Sequence, residues 1–161
     1  MVNLVAVQMT STPSVEDNLN HVEQALANEQ VPKDSLVVLP ECFACFGTKD
    51  GELLNAAEVK DEGLIQQRLS ALAKAHECYI VSGTFPMATN DASKFSAACL
   101  LFGPDGTVLA DYRKIHLFDV SVDDNTGSYK ESKFTNPGSE VVTVKTPIGN
   151  IGLAVCYDVR F

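Results

Sequence analysis

The sequence lacks a long apolar run and lacks a cluster of basic residues. No stretch approaches the roughly 20 consecutive apolar residues that a helix needs to cross a bilayer. The first residues show neither the charged region nor the cleavage site of a signal peptide. With 12 basic residues against 21 acidic ones, the net charge is −9, and the basic face that a nucleic-acid partner requires is missing. We therefore expect a cytoplasmic protein that binds neither membrane nor nucleic acid.

The cysteines do not form the pattern of a disulfide framework. There are five of them, at irregular spacing, so reduced thiols are expected. Cys42 and Cys45 form a C-x-x-C pair, but a zinc site needs a second pair or histidines at ligand spacing. A redox dithiol would open a helix in a βαβ unit, whereas this pair follows a strand. We expect no metal and no cofactor, and we predict that both side chains line a pocket beside Glu41.

Apolar residues recur along the chain at the spacings of strands and helices. Short apolar runs indicate buried strands. These runs occupy residues 4–9, 36–39 and 79–81. Apolar residues three or four apart predict amphipathic helices at residues 15–26 and 64–76, and Ser14 is a candidate N-cap for the first. A chain of 161 residues is long enough for one domain with a core and short for two.

Two hairpins and one long loop complete the pattern. Glycine and proline at residues 103–106 lie between apolar runs, which is typical of a β-hairpin turn. A second hairpin is predicted around residues 147–149, with its last strand at residues 151–155. Residues 115–136 are polar and aperiodic, and a loop of that length is commonly functional or mobile. The order of elements predicts one domain of mixed α/β type.

Three ionisable residues follow the ends of predicted strands. Glu41, Lys114 and Cys156 each come directly after such a strand or one to two residues beyond it. In layered α/β proteins, ligands and catalytic groups collect at the carboxyl ends of strands. Each residue also has an ordinary structural interpretation, because cysteine is commonly buried and charged residues are common in surface loops. Taken singly, none of them indicates a function.

Three ordered blocks resemble the signature motifs of the nitrilase superfamily of carbon–nitrogen hydrolases. They are Leu-Pro-Glu at residues 39–41, Tyr-Arg-Lys-Ile-His at 112–116, and Gly-Leu-Ala-Val-Cys-Tyr-Asp-Val-Arg-Phe at 152–161. With the opening strand and the hairpin, the resemblance covers essentially the whole chain. It implies a partial four-layer α-β-β-α sandwich. The family's domain is longer, so we interpret residues 1–161 as a nitrilase-like domain truncated at its C-terminal side.

The resemblance implies a Glu–Lys–Cys triad, which falls on Glu41, Lys114 and Cys156. A free thiol with a pKa near ~8.5 needs a base at neutral pH, and Glu41 would take that proton. Lys114 would supply positive charge to the tetrahedral intermediate, with the backbone N–H of Tyr157 as a second oxyanion donor. Glu131 matches a supporting Glu of the family, and its expected role is to position Lys114 or the substrate.

Other residues near the triad have competing interpretations. Imidazole is the usual activator of a catalytic thiol, so His116 is the alternative base. Asp158 and Arg160 could pair just beyond the nucleophile, and we interpret both as structural. Glu140 lies on the other side of the Pro-Gly pair and ranks below Glu131.

Residues 113–119 together with the final block resemble the Nit branch of the superfamily. That branch includes deaminated glutathione amidases, the activity that the resemblance leads us to expect, and omega-amidases, which are an alternative. The resemblance implies hydrolysis of a small carboxylate-bearing amide to acid and ammonia through a Cys thioester, by a protein that forms a homodimer at full length. A carbamoyl-amide hydrolase is the alternative within the superfamily. In a different class, an inactive truncated fragment would act at most as an interaction module.

Overall fold

The computed structural model describes residues 2–47, 49, 51–121 and 128–161. Its two helices are α1 (Val15–Asn28) and α2 (Leu64–Ala75). Its strands are β1 (Leu4–Ala6), β2 (Leu36–Val38), β3 (Tyr79–Val81), β4 (Phe85–Ala88), β5 (Phe95–Phe102), β6 (Val108–Arg113), β7 (Asp119–Ser121), β8 (Ser128–Lys130), β9 (Thr143–Thr146) and β10 (Gly149–Gly152). Short 3₁₀ helices span Glu52–Ala56, Glu131–Lys133 and Cys156–Arg160.

Six of the strands form one mixed sheet. β1, β2 and β3 run parallel, with Val37 in register with both Val5 and Ile80. The long strand β5 runs antiparallel to its neighbours, with β6 along one edge and β3 and β4 along the other. Because the parallel strands all point the same way, their carboxyl ends open at one edge of the sheet.

Both helices cover one face of this sheet. The side-chain oxygen of Ser14 accepts a hydrogen bond from the backbone N–H of Asp17 at 3.2 Å, so the predicted N-cap of α1 is confirmed. From α1, Leu19 and Leu26 are buried, and from α2 so are Ile65 and Leu69. Full burial of such a side chain contributes about 1.5–3 kcal/mol. The apolar stripe that sequence spacing predicts is therefore what holds the helices on the sheet.

The opposite face of the sheet carries a second apolar cluster. Tyr79, Leu101 and Tyr112 project from the sheet and pack against Leu153 and Val155, which follow the hairpin formed by β9 and β10. Helices, six-stranded sheet and hairpin thus form successive layers, and the expected α/β fold is confirmed. Among the described residues, no helix is long and apolar enough to span a membrane.

The structure differs from the sequence prediction in three elements. The predicted loop at residues 115–136 contains the paired strands β7 and β8 and a 3₁₀ helix, whose polar sequences give no apolar alternation. Strand β4 was missed because its Pro86 interrupts a strand pattern, although an edge strand tolerates proline. The last strand ends at Gly152 rather than at residue 155. The following apolar residues pack on the sheet and do not extend the hairpin.

Candidate active site

Glu41 lies just beyond the carboxyl end of β2. The backbone N–H of Leu39 still binds the carbonyl oxygen of Val81 at 2.9 Å, which keeps this segment beside β3. The turn after β3 comes so close that a Cβ on Gly83 would lie 1.9 Å from the carbonyl oxygen of Pro40, and Gly83 has φ +60°. Only glycine satisfies both conditions. This close approach holds the segment that carries Glu41.

Lys114 follows β6, and its backbone is held on two sides. Its N–H donates to the carbonyl oxygen of Ala97 at 3.0 Å, and its own carbonyl accepts from the N–H of Gly138 at 2.8 Å. A Cβ on Gly138 would lie 2.1 Å from the carbonyl oxygen of Arg113. The glycine of the Pro-Gly pair therefore packs directly on the backbone that presents the lysine.

The ammonium of Lys114 lies between two carboxylates. Its Nζ is 2.7 Å from Oε1 of Glu41, and 3.1 and 2.9 Å from the two oxygens of Glu131. The lysine side chain is only 2% exposed. Burial by itself lowers the pKa of Lys114, but the hydrogen bonds and charges of Glu41 and Glu131 outweigh it and raise the pKa. The lysine is a permanent cation in a cluster with one net negative charge.

Glu131 is fixed by more than the lysine. One of its carboxylate oxygens also accepts the backbone N–H of Phe118 at 2.7 Å. The structure thus brings Glu131 onto Lys114, in contact with the residue that the sequence predicted it to position. Glu140, which the sequence ranked lower, is exposed.

Cys156 occupies a strained turn at the first position of the last 3₁₀ helix. Its φ is +47°, a left-handed conformation that residues with a Cβ rarely adopt and that is typical of functional turns. Cys156 is an exposed residue with a free thiol, and Glu41 is the charged group with the largest effect on that thiol. Burial of the sulfur raises the pKa of Cys156, and Glu41 raises it further, while Lys114 opposes the rise. Glu41 therefore binds Lys114 and also acts on the thiol of Cys156.

Asp158 is the most heavily hydrogen-bonded carboxylate near this turn. Its Oδ2 accepts from the hydroxyl of Tyr112 at 2.6 Å and from the backbone N–H of Val155 at 2.8 Å. Its Oδ1 accepts from the backbone N–H of His116 at 2.9 Å and lies 2.8 Å from Nδ1 of the same residue. Partners on a distant segment bind both carboxylate oxygens, in place of Arg160, the partner that the sequence left open.

The imidazole of His116 contacts Asp158 and Phe161. Besides Asp158, it stacks on Phe161 with ring centroids 3.8 Å apart. The side chain of Tyr157 packs edge-on against Phe118 and Phe161. The charged groups that act on the Cys156 thiol are Glu41, Lys114 and Glu131, not His116. The geometry thus favours Glu41 over His116 as the partner of the thiol.

A cavity of about 530 Å³ opens beside the two carboxylates. Cys42 and Cys45 both lie in its wall, as predicted, and both are free thiols. Burial, followed by the charge of Glu41, raises the pKa of Cys42 to about 11. Thr84 accepts the backbone N–H of Cys42 at 2.8 Å and so fixes the residue after Glu41. Within residues 2–47, 49, 51–121 and 128–161, no group of three or more His, Cys, Asp or Glu side chains could hold a metal.

Sequence reasoning missed the contributions of Thr84, Tyr112 and Gly138. Tyr112 opens one of the three quoted blocks, so its position two residues before Lys114 was an available signal. Gly138 belongs to the Pro-Gly pair that was used only to locate Glu131. Nothing in the sequence near Thr84 indicates its bond to Cys42, which is 42 residues away.

Comparison with known proteins gives matches over nearly the whole chain. The family described as Carbon-nitrogen hydrolase matches residues 4–161. The chain is 39% identical over 159 residues to omega-amidase NIT2 of Homo sapiens, covering 98% of this chain and 55% of that protein. It is 33% identical over 162 residues to deaminated glutathione amidase of Yersinia enterocolitica, covering 99% and 55% respectively.

Solved structures of known proteins include one with a similar fold. Nit3 of Saccharomyces cerevisiae, a member of branch 10 of the nitrilase superfamily, superposes with a TM-score of 0.81 at 30% identity. The match covers 99% of this chain and 57% of that one. The chain therefore spans about half the length of the relatives that it matches.

Proposed function

Because the chain belongs to the carbon–nitrogen hydrolase family, we propose that the protein is an amidase. It hydrolyses a non-peptide C–N bond in a small carboxylate-bearing amide and releases acid and ammonia. The observation that carries the proposal is that Glu41 binds the Lys114 ammonium at 2.7 Å and is also the charged group with the largest effect on the Cys156 thiol. Base, cation and nucleophile are the three groups that acyl transfer to a thiol requires.

The first step is attack by the Cys156 sulfur on the amide carbonyl carbon. The raised pKa of Cys156 keeps the thiol protonated at neutral pH, so a base must take its proton. Glu41 takes this proton as the C–S bond forms and the carbonyl π electrons move onto oxygen. A positioned general base of this kind contributes about 10²–10⁴-fold in rate.

The negative charge that develops on the carbonyl oxygen needs fixed donors. Lys114 is buried, charged and held by two carboxylates, so its ammonium needs no reorganisation when the charge appears. The backbone N–H of Tyr157, next to the nucleophile, is the second donor. Loss of one such donor typically costs about 10²–10³-fold in kcat.

Collapse of the tetrahedral intermediate breaks the C–N bond. The protonated Glu41 gives its proton to the departing nitrogen, ammonia leaves, and a thioester remains on Cys156. Glu41 then takes a proton from water as the water oxygen attacks the thioester carbon. The C–S bond breaks, the sulfur regains a proton from Glu41, and the acid is released.

The cavity wall supports a substrate that carries a carboxylate. Lys49, Lys130 and Lys133 line it, while the two carboxylates in the wall, Glu41 and Glu131, both bind Lys114. The wall thus carries lysine side chains in a chain with a net charge of −9. The relatives named omega-amidase and deaminated glutathione amidase suggest two substrates to compare, an α-keto acid with a terminal amide and deaminated glutathione.

Release of the nitrogen-containing product tests the proposal, measured as ammonia from the terminal amide of the keto acid and as the amine from deaminated glutathione. The complete product of the reading frame is incubated with both candidate amides and with analogues in which the free carboxylate is replaced by a neutral group. We expect kcat/KM to be about tenfold or more higher for the carboxylates, as charged hydrogen bonds typically give. Cys156→Ala should abolish release. Cys78→Ala removes a buried thiol directly before β3 and is the matched control. Full turnover by Cys156→Ala would overturn the proposal.

A further inference from the structure

We propose that Asp158 is a positioning residue that holds the turn of Cys156 at a fixed place relative to Lys114, an inference that rests on the proposed function. The observation behind it is a single carboxylate shared by two segments of the chain. Both of its oxygens are used, and its side chain is only 6% exposed. One oxygen accepts a hydrogen bond from the residue before Cys156. The carboxylate also accepts hydrogen bonds from residues on either side of Lys114.

The donors to this carboxylate flank both functional residues. Val155, whose N–H binds Oδ2, directly precedes Cys156. Tyr112 and His116 stand two residues before and two residues after Lys114. The carboxylate therefore joins the segment of the proposed nucleophile to the segment of the proposed oxyanion cation, over more than 40 residues of sequence.

A second hydrogen bond extends the connection along the lysine segment. The Tyr112 hydroxyl, while donating to Asp158, also accepts the backbone N–H of Ile115 at 3.2 Å. Ile115 is the residue directly after Lys114. The hydroxyl thus ties the backbone beside the lysine to the carboxylate that holds the nucleophile turn.

Within its own segment, Asp158 closes a small ring around Cys156. Its carboxylate reaches back three residues to the N–H of Val155, and the chain between them contains Cys156 and Tyr157. Cys156 has φ +47° inside this ring. A strained conformation persists only where the surroundings impose it. The same ring sets the direction of the Tyr157 N–H, the proposed second oxyanion donor.

The carboxylate is an anion throughout the neutral range. Burial raises the pKa of Asp158, but the hydrogen bonds from Tyr112, His116 and Val155 outweigh burial and lower it. An anionic carboxylate is acceptor-only, so both oxygens can receive the observed donors. Asparagine in the same place would turn an NH₂ group toward one pair of donors and break that side of the connection.

Tyr112→Phe and Asp158→Asn test the inference in the complete protein. Misplacement of a reacting group by about 1 Å costs up to about 100-fold in rate. We therefore expect kcat to fall about tenfold in Tyr112→Phe and about 100-fold in Asp158→Asn, with KM within about threefold. Tyr79→Phe removes a tyrosine hydroxyl from the same apolar cluster without touching Asp158, and should leave kcat unchanged.

A second readout needs no substrate. The rate at which iodoacetamide alkylates Cys156, followed by peptide mass spectrometry across pH, reports how the thiol sits against Glu41, Lys114 and Glu131, the charged groups that act on it. If the connection positions the turn, Tyr112→Phe should release the thiol from Glu41. The profile should then shift toward lower pH, while Tyr79→Phe keeps the original midpoint.

The outcomes separate the inference from the function it rests on. If the unmodified protein hydrolyses no amide, the proposed function fails, and the alkylation profile alone decides the role of Asp158. If Asp158→Asn does not fold, Tyr112→Phe decides. A Tyr112→Phe protein with the kcat and alkylation midpoint of Tyr79→Phe would overturn the inference and leave Asp158 a structural residue.

Discussion

The helix-covered face of the sheet and the edge where its parallel strands end are held together by different interactions. On the helix face, buried apolar side chains such as Leu19, Leu69 and Ile80 pack against one another in a hydrophobic cluster. At the strand ends, a buried ammonium lies between two carboxylates and a cysteine sits in a left-handed turn. Burial of apolar surface stabilises the first region. The second region holds buried charges and a strained backbone in fixed positions, and these groups cost folding free energy.

Because of this difference, we expect substitutions in the two regions to affect different quantities, stability in one and turnover in the other. Changes on the helix face should lower the free energy of unfolding and leave turnover per folded molecule intact. Changes at the strand ends should chiefly lower turnover, because functional sites commonly hold strain and charge that the rest of the fold supports. A substitution that affects both quantities equally would blur the distinction.

The largest effect is expected for Glu41→Gln. Glutamine keeps the size and one acceptor oxygen but cannot take the thiol proton, so kcat should fall by about 10²–10⁴-fold. Lys114 keeps its bonds to Glu131, so the fold should persist, as circular dichroism would show. The matched control is Glu140→Gln, which alters an exposed carboxylate. Retained turnover in Glu41→Gln would point to His116 as the base instead.

Leu69→Ala tests the other region. The leucine is 0% exposed in α2, and such truncations cost about 2.7–5 kcal/mol of unfolding free energy. Denaturant titration should show this loss, while kcat per folded molecule stays constant. Leu64→Ala, at the 45% exposed first residue of the same helix, should cost much less. Equal losses in the two variants would show that α2 does not pack as described.

A smaller effect is expected from the acid dependence of Asp158. Its pKa is lowered on folding, so its stabilisation is present above the unfolded value of about 3.9 and is lost as pH falls through the folded value. The gap in unfolding free energy between the unmodified protein and Asp158→Asn should therefore narrow as pH drops below about 4. A gap that stays constant from pH 7 to pH 3 would contradict the hydrogen-bonded carboxylate.

Ser14→Ala should have the smallest effect. The substitution removes the N-cap hydrogen bond to Asp17 and should cost about 1 kcal/mol. Ser14→Thr keeps a capping oxygen and should recover most of the loss. Thermal unfolding measures both variants, and kcat should not change in either. A change in kcat would mean that the N-terminus of α1 affects the geometry of the residues at the strand ends.

The same division explains what the sequence could predict. The N-cap at Ser14 and the apolar stripes of both helices follow from local spacing, and the structure has them. The family resemblance, which the matches confirm, singled out Glu41, Lys114 and Glu131, and these residues meet in the structure. Spacing alone indicated no contact among them.

What could not be predicted depends on contacts between distant segments. The sequence suggested Arg160 as the partner of Asp158 because it is near in the chain, whereas Tyr112 lies 46 residues away. The close approach of Gly83 to Pro40 likewise joins two separate strand ends. Such pairings depend on how the sheet orders its strands, and neither apolar periodicity nor composition carries that information.

The central claim is that Cys156 attacks the substrate with Glu41 as its base. The most direct measurement is mass spectrometry of the protein quenched with acid during turnover of a carboxylate-bearing amide. We predict an acyl adduct on the peptide that contains Cys156, at a mass equal to the substrate less ammonia, and its absence in Glu41→Gln. Turnover without an adduct on that peptide, continuing in Cys156→Ala, would contradict the claim.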